Sequence, residues 1–460
     1  MNNESINLFR FGQSPWACTG LKAKFEKFWE PVALSPKNDH ITYQTAYWDR
    51  FNPFFLRESS MYRAVLSLCL LTSSSLVWAG DWAQFRGPNG GGVADEKNLP
   101  TSWSKTENVK WSVETPGRSV SSPIVLGKKL FVTSASGVRY DKLHVLCYDV
   151  ETGKQLWRRD LQATGNTGHH PKSSMAAPSP CADATGVYCL FATADLVAFD
   201  LDGNLKWYRS LAGDYPAIAN QVGMASSPVL AGGKLIVPMD TAGDSFLAAL
   251  DTKDGRNLWK LDRPREINWV TPTIREAQGK TEIVFLGKTG AYAYSADDGK
   301  VIWSVKGEAG AIASPLVFGN EVLLPFRNDI VCVKPANGEA PEVWKSAKLV
   351  SSAATPLLYE GKLYSISRAG LLVCADPKTG KEIWSERLKR GTYWASPVAA
   401  DGKIFAFNDE GTCTVIAAGG EKAEIISTND IGSELMGTPA IANGSIILRT
   451  VNGIYCIAKR

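Results

Sequence analysis

The sequence predicts an all-β chain folded as an eight-bladed β-propeller of four-stranded antiparallel blades, closed by an N-terminal strand. Three observations predict it. A small residue followed by proline and an apolar run recurs eight times, at intervals of 41 to 55 residues, the spacing of a four-stranded blade. Most repeats end in the same short string, with a small residue, a Gly-containing turn and a closing tryptophan. The last repeat runs out after three strands, while a strand-like segment with its own tryptophan, Asn108 to Val113, is left over before the first. Pairing that segment with Gly453 to Ala458 closes the ring and leaves no free edge.

The N-terminus stands apart from the repeat. Residues 1–60 show no period and read as upstream sequence or an unstructured extension. Met61-Tyr-Arg63 is a short basic start, Ala64 to Leu71 an apolar core, and Val77-Trp78-Ala79 a small-residue cleavage site. Residues 61–79 therefore read as a secretory signal peptide, which predicts an exported protein, periplasmic or extracellular. The alternative is a genuine cytoplasmic extension that turns the apolar stretch into an anchor. No later segment reaches the 18 or so uninterrupted apolar residues of a spanning helix, so residues 80–460 are read as one propeller domain without an integral membrane segment.

The repeat starts are Ser122-Pro123, Ala177-Pro178, Ser227-Pro228, Thr271-Pro272, Ser314-Pro315, Thr355-Pro356, Ser396-Pro397 and Thr438-Pro439. Each is followed by short alternating strands between Gly and Asp turns, the local signal of an all-β fold. The closing strings are Cys147 to Trp157, Ala198 to Trp207, Ala249 to Trp259, Ala293 to Trp303, Cys332 to Trp344 and Cys374 to Trp384. The seventh repeat departs, with Ile425 where tryptophan is expected. Each such indole can bury roughly 150–250 Å² between neighbouring blades. At about 25 cal/mol per Å² that is an upper bound of ~4–6 kcal/mol. Trp111, Trp157, Trp207, Trp259, Trp303, Trp344 and Trp384 are accordingly assigned to packing.

Composition narrows the function classes. Fifty basic against 46 acidic residues give a formal charge of +4, too balanced for a nucleic-acid partner. Four histidines supply little material for a multi-histidine metal site, and no metal site is assigned. Cys147, Cys332, Cys374 and Cys456 share one position in separate blades and read as small buried residues. Cys181 and Cys189 flank a single turn, where both a disulfide and two free thiols are open readings.

The repeated Ala-x-Asp-x-x-Thr-Gly-x-x-x-Trp string resembles the tryptophan-docking motif of the quinoprotein, or PQQ-type, eight-bladed propellers, over residues 80–460. Asp81-Trp-Ala-Gln-Phe-Arg-Gly-Pro-Asn89 and His170-Pro-Lys-Ser-Ser resemble a bacterial exported subfamily of PQQ-like repeat proteins. The resemblance implies two uses of the fold: PQQ-dependent dehydrogenases, and the non-enzymatic propeller lipoprotein of the outer-membrane β-barrel assembly machinery. A dehydrogenase of that kind implies a vicinal disulfide against the quinone, a Glu and an Asn holding Ca²⁺, and a catalytic Asp base. The sequence has no adjacent cysteines. Asp240, Asp244, Asp329 and Asp409 are the carboxylates placed near loops where a base could sit, but no catalytic residue is assigned.

Propeller geometry places a binding site where the loops between blades dive toward the axis. The unusual residues of these loops are His169, His170 and Lys172, then Asn220 and Gln221, Arg265 with Asn268 and Trp269, Lys389 and Arg390 with Tyr393 and Trp394, and Glu434 with Met436. The candidate ligand-binding set is His169, His170, Lys172, Arg265, Asn268, Trp269, Tyr393 and Trp394. An aromatic and basic rim suits a small anionic, glycan or peptide ligand, or a protein partner presenting one. The expected function is a non-enzymatic exported scaffold needing no cofactor. The alternatives are a PQQ- or metal-dependent periplasmic oxidoreductase, with PQQ and Ca²⁺, and an outer-membrane assembly role.

Overall fold

The computed structural model describes residues 81–219, 222–310 and 312–459. The expected extension at 1–60 and the expected signal peptide at 61–79, with Asn220 and Gln221, lie outside the described residues. The strands form eight four-stranded antiparallel sheets arranged as a propeller ring. Blade 1 comprises Ile124–Leu126, Lys129–Ser136, Lys142–Asp149 and Gln155–Gln162, innermost to outermost, and blades 2 to 7 repeat that order. Blade 8 takes its inner strands from Ala440–Ala442, Ser445–Arg449 and Gly453–Ile457, and its outer strand from Val109–Glu114. Trp111 pairs with Cys456 and Glu114 with Gly453, so the first and last strands share one sheet.

Short alternating strands fold this way because both faces of each inner strand are buried against neighbouring blades. Lys129–Ser136 alternates its contacts: Phe131 packs with blade 2, whereas Leu130 and Val132 pack with blade 8. The outer strands expose one face, as in the e-e-B-e-i-e-i-e burial run of Gln155–Gln162. The tryptophans sit on the buried face of these outer strands, opposite Cys147, Ala198, Ala249, Ala293, Cys332, Cys374 and Cys456.

The indoles reach across to the next blade. Trp157 Nε1 donates to Leu201 O at 3.1 Å, Trp207 to Thr252 O at 3.1 Å and Trp259 to Ala296 O at 3.0 Å. Trp344 and Trp384 do the same to Pro377 O and Gly420 O. The turn beneath must be glycine: Gly203 has φ 84°, and a Cβ there would meet the Trp157 ring at 2.7 Å. Trp303 departs from the pattern. Its indole donates to Glu282 Oε2 at 3.2 Å, and that carboxylate is held by Arg275 at 2.7 Å inside blade 4.

Two expectations need correction. The second repeat starts at Ser179-Pro180, two residues beyond Ala177-Pro178, because the hydroxyl at that position is what bonds the neighbouring blade. In blade 7 the tryptophan position belongs to Ser427, opposite Val415, and not to Ile425, which lies beyond a bulge and is exposed. The N-terminal segment fills the gap. Asn429 Oδ1 accepts from Trp103 N–H at 3.0 Å, and the Trp103 ring lies 6.3 Å from Phe405 and 6.2 Å from Phe407.

The segment before it crosses the ring. Trp82 bridges Val125 of blade 1, Ala83 O accepts from Ala182 of blade 2, and Val93 pairs with Ala399 of blade 7. Midway, the fully buried Arg86 spends its guanidinium on backbone carbonyls: Gly90, Gly91, Thr355, Pro356 and Pro397. Burial pulls its pKa down to about 9, and the carbonyl dipoles are what offset that desolvation.

Candidate ligand-binding site

Each blade begins at the axis with Ser-Pro or Thr-Pro, and these hydroxyls form a belt. Ser122 N–H donates to Ser179 Oγ at 2.9 Å, Ser179 N–H to Ser227 Oγ at 2.9 Å, and Ser227 N–H to Thr271 Oγ1 at 3.0 Å. The chain of bonds continues from Thr271 to Ser314, Ser314 to Thr355, Thr355 to Ser396 and Ser396 to Thr438. A β-branched or bulky residue without a hydroxyl would leave a buried N–H unpaired, so the position requires Ser or Thr.

A cavity of about 340 Å³ lies over this belt. Phe85 lines it beside Arg86 of the crossing segment, while Val120, Val222, Ile312 and Met436 supply apolar walls. Trp269 and Trp394 add aromatic faces, and His170, Lys172 and Arg368 add basic groups. No carboxylate lines it among the described residues. The site is apolar and hydroxyl-lined below, with positive charge and indole surface above.

Of the sequence candidates, the structure brings four to the cavity: His170, Lys172, Trp269 and Trp394. Trp269 is anchored by its Nε1 to Gly223 O at 2.9 Å. Trp394 carries the Arg368 guanidinium 3.9 Å from its ring centroid, and its own buried Nε1 has no partner. His170 Nδ1 accepts from Lys172 N–H at 3.1 Å, which fixes the turn of that loop. Lys172 Nζ lies 3.1 Å from Glu434 and 3.5 Å from Asp409 at the edge of a polar cleft that also holds Arg390. Burial alone would raise the Glu434 carboxyl, but hydrogen bonds and charge from Lys172 and Arg118 hold it below the ordinary range.

The other four stand outside the cavity lining. His169 packs its ring edge-on to Tyr140 at 5.1 Å. Tyr393 is fully buried with its hydroxyl on Lys389 O. Asn268 is buried and donates to Asp240 and to Leu286 O, beside the ion pair of Asp240 with Arg263 at 2.7 Å. Arg265 is exposed, 3.8 Å from Asp244. Asp240, Asp329 and Asp409 are likewise engaged by Arg263, Lys345 and Lys172. Cys181 and Cys189 are both free and buried. Among the described residues no three His, Cys, Asp or Glu side chains are grouped to hold a metal ion.

Sequence reasoning missed Arg368 and Phe85. Arg368 lies on the turn after Lys362–Ile366, where a charged residue reads as ordinary solvated surface. Phe85 belongs to a segment outside the repeat, which periodicity cannot place.

Comparison with known proteins gives two kinds of relative. The family model described as outer membrane protein assembly factor BamB matches residues 92–237, 217–386 and 326–423. A polyvinylalcohol dehydrogenase of Sphingopyxis sp. (strain 113P3) is 25% identical over 354 residues, 65% of this chain and 49% of that protein. This chain thus spans about half the length of the dehydrogenases it matches. BamB of Yersinia pestis is 22% identical over 345 residues, 63% of this chain and 82% of that protein. Among solved structures, BamB from Moraxella catarrhalis superposes with a TM-score of 0.56 at 15% identity, covering 76% of this chain and 99% of that one. Quinohemoprotein alcohol dehydrogenase from Comamonas testosteroni gives 0.62 at 12% identity, covering 84% and 82%. These likenesses establish the fold.

Proposed function

Since the chain belongs to the family described as outer membrane protein assembly factor BamB, a PQQ-like repeat propeller, we propose that it is an exported binding scaffold whose axial cavity holds a ligand without transforming it. The observation that carries this reading is the lining itself. Indole faces at Trp269 and Trp394, a stacked Arg368, Lys172 and His170 converge over a floor in which Ser179, Ser227, Thr271, Thr355, Ser396 and Thr438 already accept backbone N–H groups. Such a surface takes a small anionic ligand, a glycan, or an anionic side chain of a peptide or protein partner, through stacking and charge. Export rests on the signal-like stretch at 61–79 and on the likeness to BamB proteins.

A PQQ-dependent oxidoreductase is the second reading, favoured by likeness to the polyvinylalcohol dehydrogenases. The calcium-bound form of that cofactor does not fit this cavity. Among the described residues no carboxylate lines it, and the adjacent Glu434 and Asp409 are both engaged by Lys172.

The test is mass spectrometry and absorbance of protein purified from its native compartment, with N-terminal sequencing of the same sample. The scaffold reading expects a non-quinone small molecule, or none, and a mature end after Ala79. A stoichiometric quinone would replace it with the second reading, and a mature end within residues 1–60 would remove the export argument.

A further inference from the structure

Three residues of blade 1 stand apart from the axial cavity and its lining. Ser136 ends the strand Lys129–Ser136, His144 lies in Lys142–Asp149, and Asp160 lies in Gln155–Gln162. Ser136 Oγ is 2.7 Å from His144 Nε2, and His144 Nδ1 is 2.7 Å from Asp160 Oδ1. Asp160 thereby selects the tautomer with the proton on Nδ1, and Nε2 accepts the Ser136 hydroxyl. We propose that Ser136, His144 and Asp160 form an acyl-transfer site that hydrolyses short-chain esters at the seam between blades 8 and 1.

The arrangement is more than three polar residues in a row. His144 is nearly fully buried, in register with Ser134 and Asp160, on the face whose apolar neighbours Leu146 and Tyr148 pack against blade 8. An imidazole locked this way has one free edge, and that edge meets the serine. Ser136 is only partly covered and begins a turn whose Val138 is fully exposed. Asp160 is fixed in turn by Arg158 Nε at 2.7 Å, and the same guanidinium lies 3.3 Å from His144 Nδ1. Burial lowers the His144 pKa, with Arg158 and Lys142 adding to that and Asp160 opposing it, so the neutral base is the resting form. Lys142 stands opposite Ser136 in register and forms no ion pair among the described residues. Its positive charge acts on the His144 imidazole and helps keep it neutral.

The chemistry balances without a cofactor. Ser136 Oγ bonds to the ester carbonyl carbon while its proton passes to His144 Nε2. The C–O bond to the leaving alcohol breaks and the alcohol carries that proton away. Water then attacks the acyl-serine with His144 taking its proton, and acid and free serine result. Ser136 and His144 are catalytic residues in this step, and Asp160 is a positioning residue. The open surface around Ser136 favours acetyl-sized groups carried on larger molecules over long acyl chains.

The test uses the full chain, with a fluorophosphonate probe and with p-nitrophenyl acetate. The probe is expected on the Ser136 peptide, with release of fluoride and a proton, and Ser136→Ala is expected to remove both label and esterase activity. His144→Gln is expected to slow labelling on the order of 10²-fold or more, the usual size of a lost general base. The wild-type labelling rate should fall in acid as His144, facing Asp160, Arg158 and Lys142, takes a proton, and the His144→Gln rate should not show that fall. Asp160→Asn is expected to lose activity through the wrong tautomer and Asp160→Glu to recover part of it, a split that simple destabilisation would not give. Each variant is confirmed to be folded at the assay pH by a cooperative melting transition. Absence of label on Ser136, or equal labelling of wild type and folded Asp160→Asn, overturns the proposal.

Discussion

Trp103 lies over Phe407 with ring centroids 6.2 Å apart and planes inclined by 25°. This contact covers the one blade whose outer strand has no tryptophan, because Ser427 occupies the place. The indole comes from outside the repeat and is nearly fully buried, with Asn429 holding its backbone. Trp103→Ala should therefore cost about 3–5 kcal/mol as a core truncation. Trp111→Ala, at the joint where Gly153 packs on the ring, should cost the same order. Urea unfolding of both variants checks this. A Trp103 variant as stable as wild type would mean blade 7 holds without its cover.

The hydroxyl belt predicts a loss unrelated to volume. Ser396→Ala removes the acceptor of the buried Thr355 N–H while leaving the backbone in place. An orphaned buried donor costs about 1–3 kcal/mol. Ser396→Thr keeps the acceptor, as Thr355 and Thr438 do in their own blades, and should cost less. Chemical denaturation of the pair separates the hydrogen bond from the side chain's size.

His144 gives the pH dependence its sign. Its folded pKa lies below the model-peptide 6.5, chiefly through burial. The unfolded chain therefore takes up a proton at a pH where the native imidazole remains neutral. The resulting stability is fully present above about 6.5 and is lost as pH falls below it, at up to about 1.4 kcal/mol per unit. Melting temperature against pH should show this acid slope in wild type and a flatter curve in His144→Gln.

The seven described cysteines, Cys147, Cys181, Cys189, Cys332, Cys374, Cys413 and Cys456, are all free and buried. Burial pushes the Cys147 thiol up to about 12 and the Cys374 thiol to about 11, which suppresses the reactive thiolate. The native propeller should be nearly inert to a thiol reagent and expose all of them in denaturant. A reductant should leave its melting temperature unchanged.

The blade count and ring closure were legible in the sequence because both follow from a repeat. Eight Ser/Thr/Ala-Pro starts and the spare Trp111 strand leave one topology that pairs every edge. What periodicity could not place was what breaks it. Arg86 and Trp103 belong to an unrepeated segment, and their own long-range partners lie in blades 6 and 7, more than two hundred residues away. The Ser136, His144 and Asp160 cluster was hidden for a different reason. Its members are spaced 8 and 16 residues apart by strand register, which no linear motif encodes. At the cavity, side-chain type pointed to the right loops but not to direction: Trp394 faces the axis while its neighbour Tyr393 is buried in the core.

That distinction shapes the last prediction, on ligand binding at the axis. Trp394 is partly covered, its Nε1 is unpartnered, and Arg368 lies against its face, so both side chains can be removed without opening the core. Trp269 is the second aromatic wall and Lys172 the nearest ammonium. The combined change Arg368→Ala, Trp269→Ala and Trp394→Ala should raise the Kd of an anionic or glycan ligand at least about tenfold, since buried aromatic and Arg contacts dominate binding energy. The melting temperature should fall by no more than a few degrees. Lys154, Lys300 and Lys381, which follow the turn glycines, form the matched control when changed together to Ala. Arg265 makes a sharper internal control, being exposed and outside the cavity lining although it belongs to the same set of loops. Calorimetric titration of a ligand found by screening wild type decides the matter. If Arg265→Ala or the lysine set weakens binding as much as the cavity set does, the ligand sits on the rim and not over the hydroxyl belt.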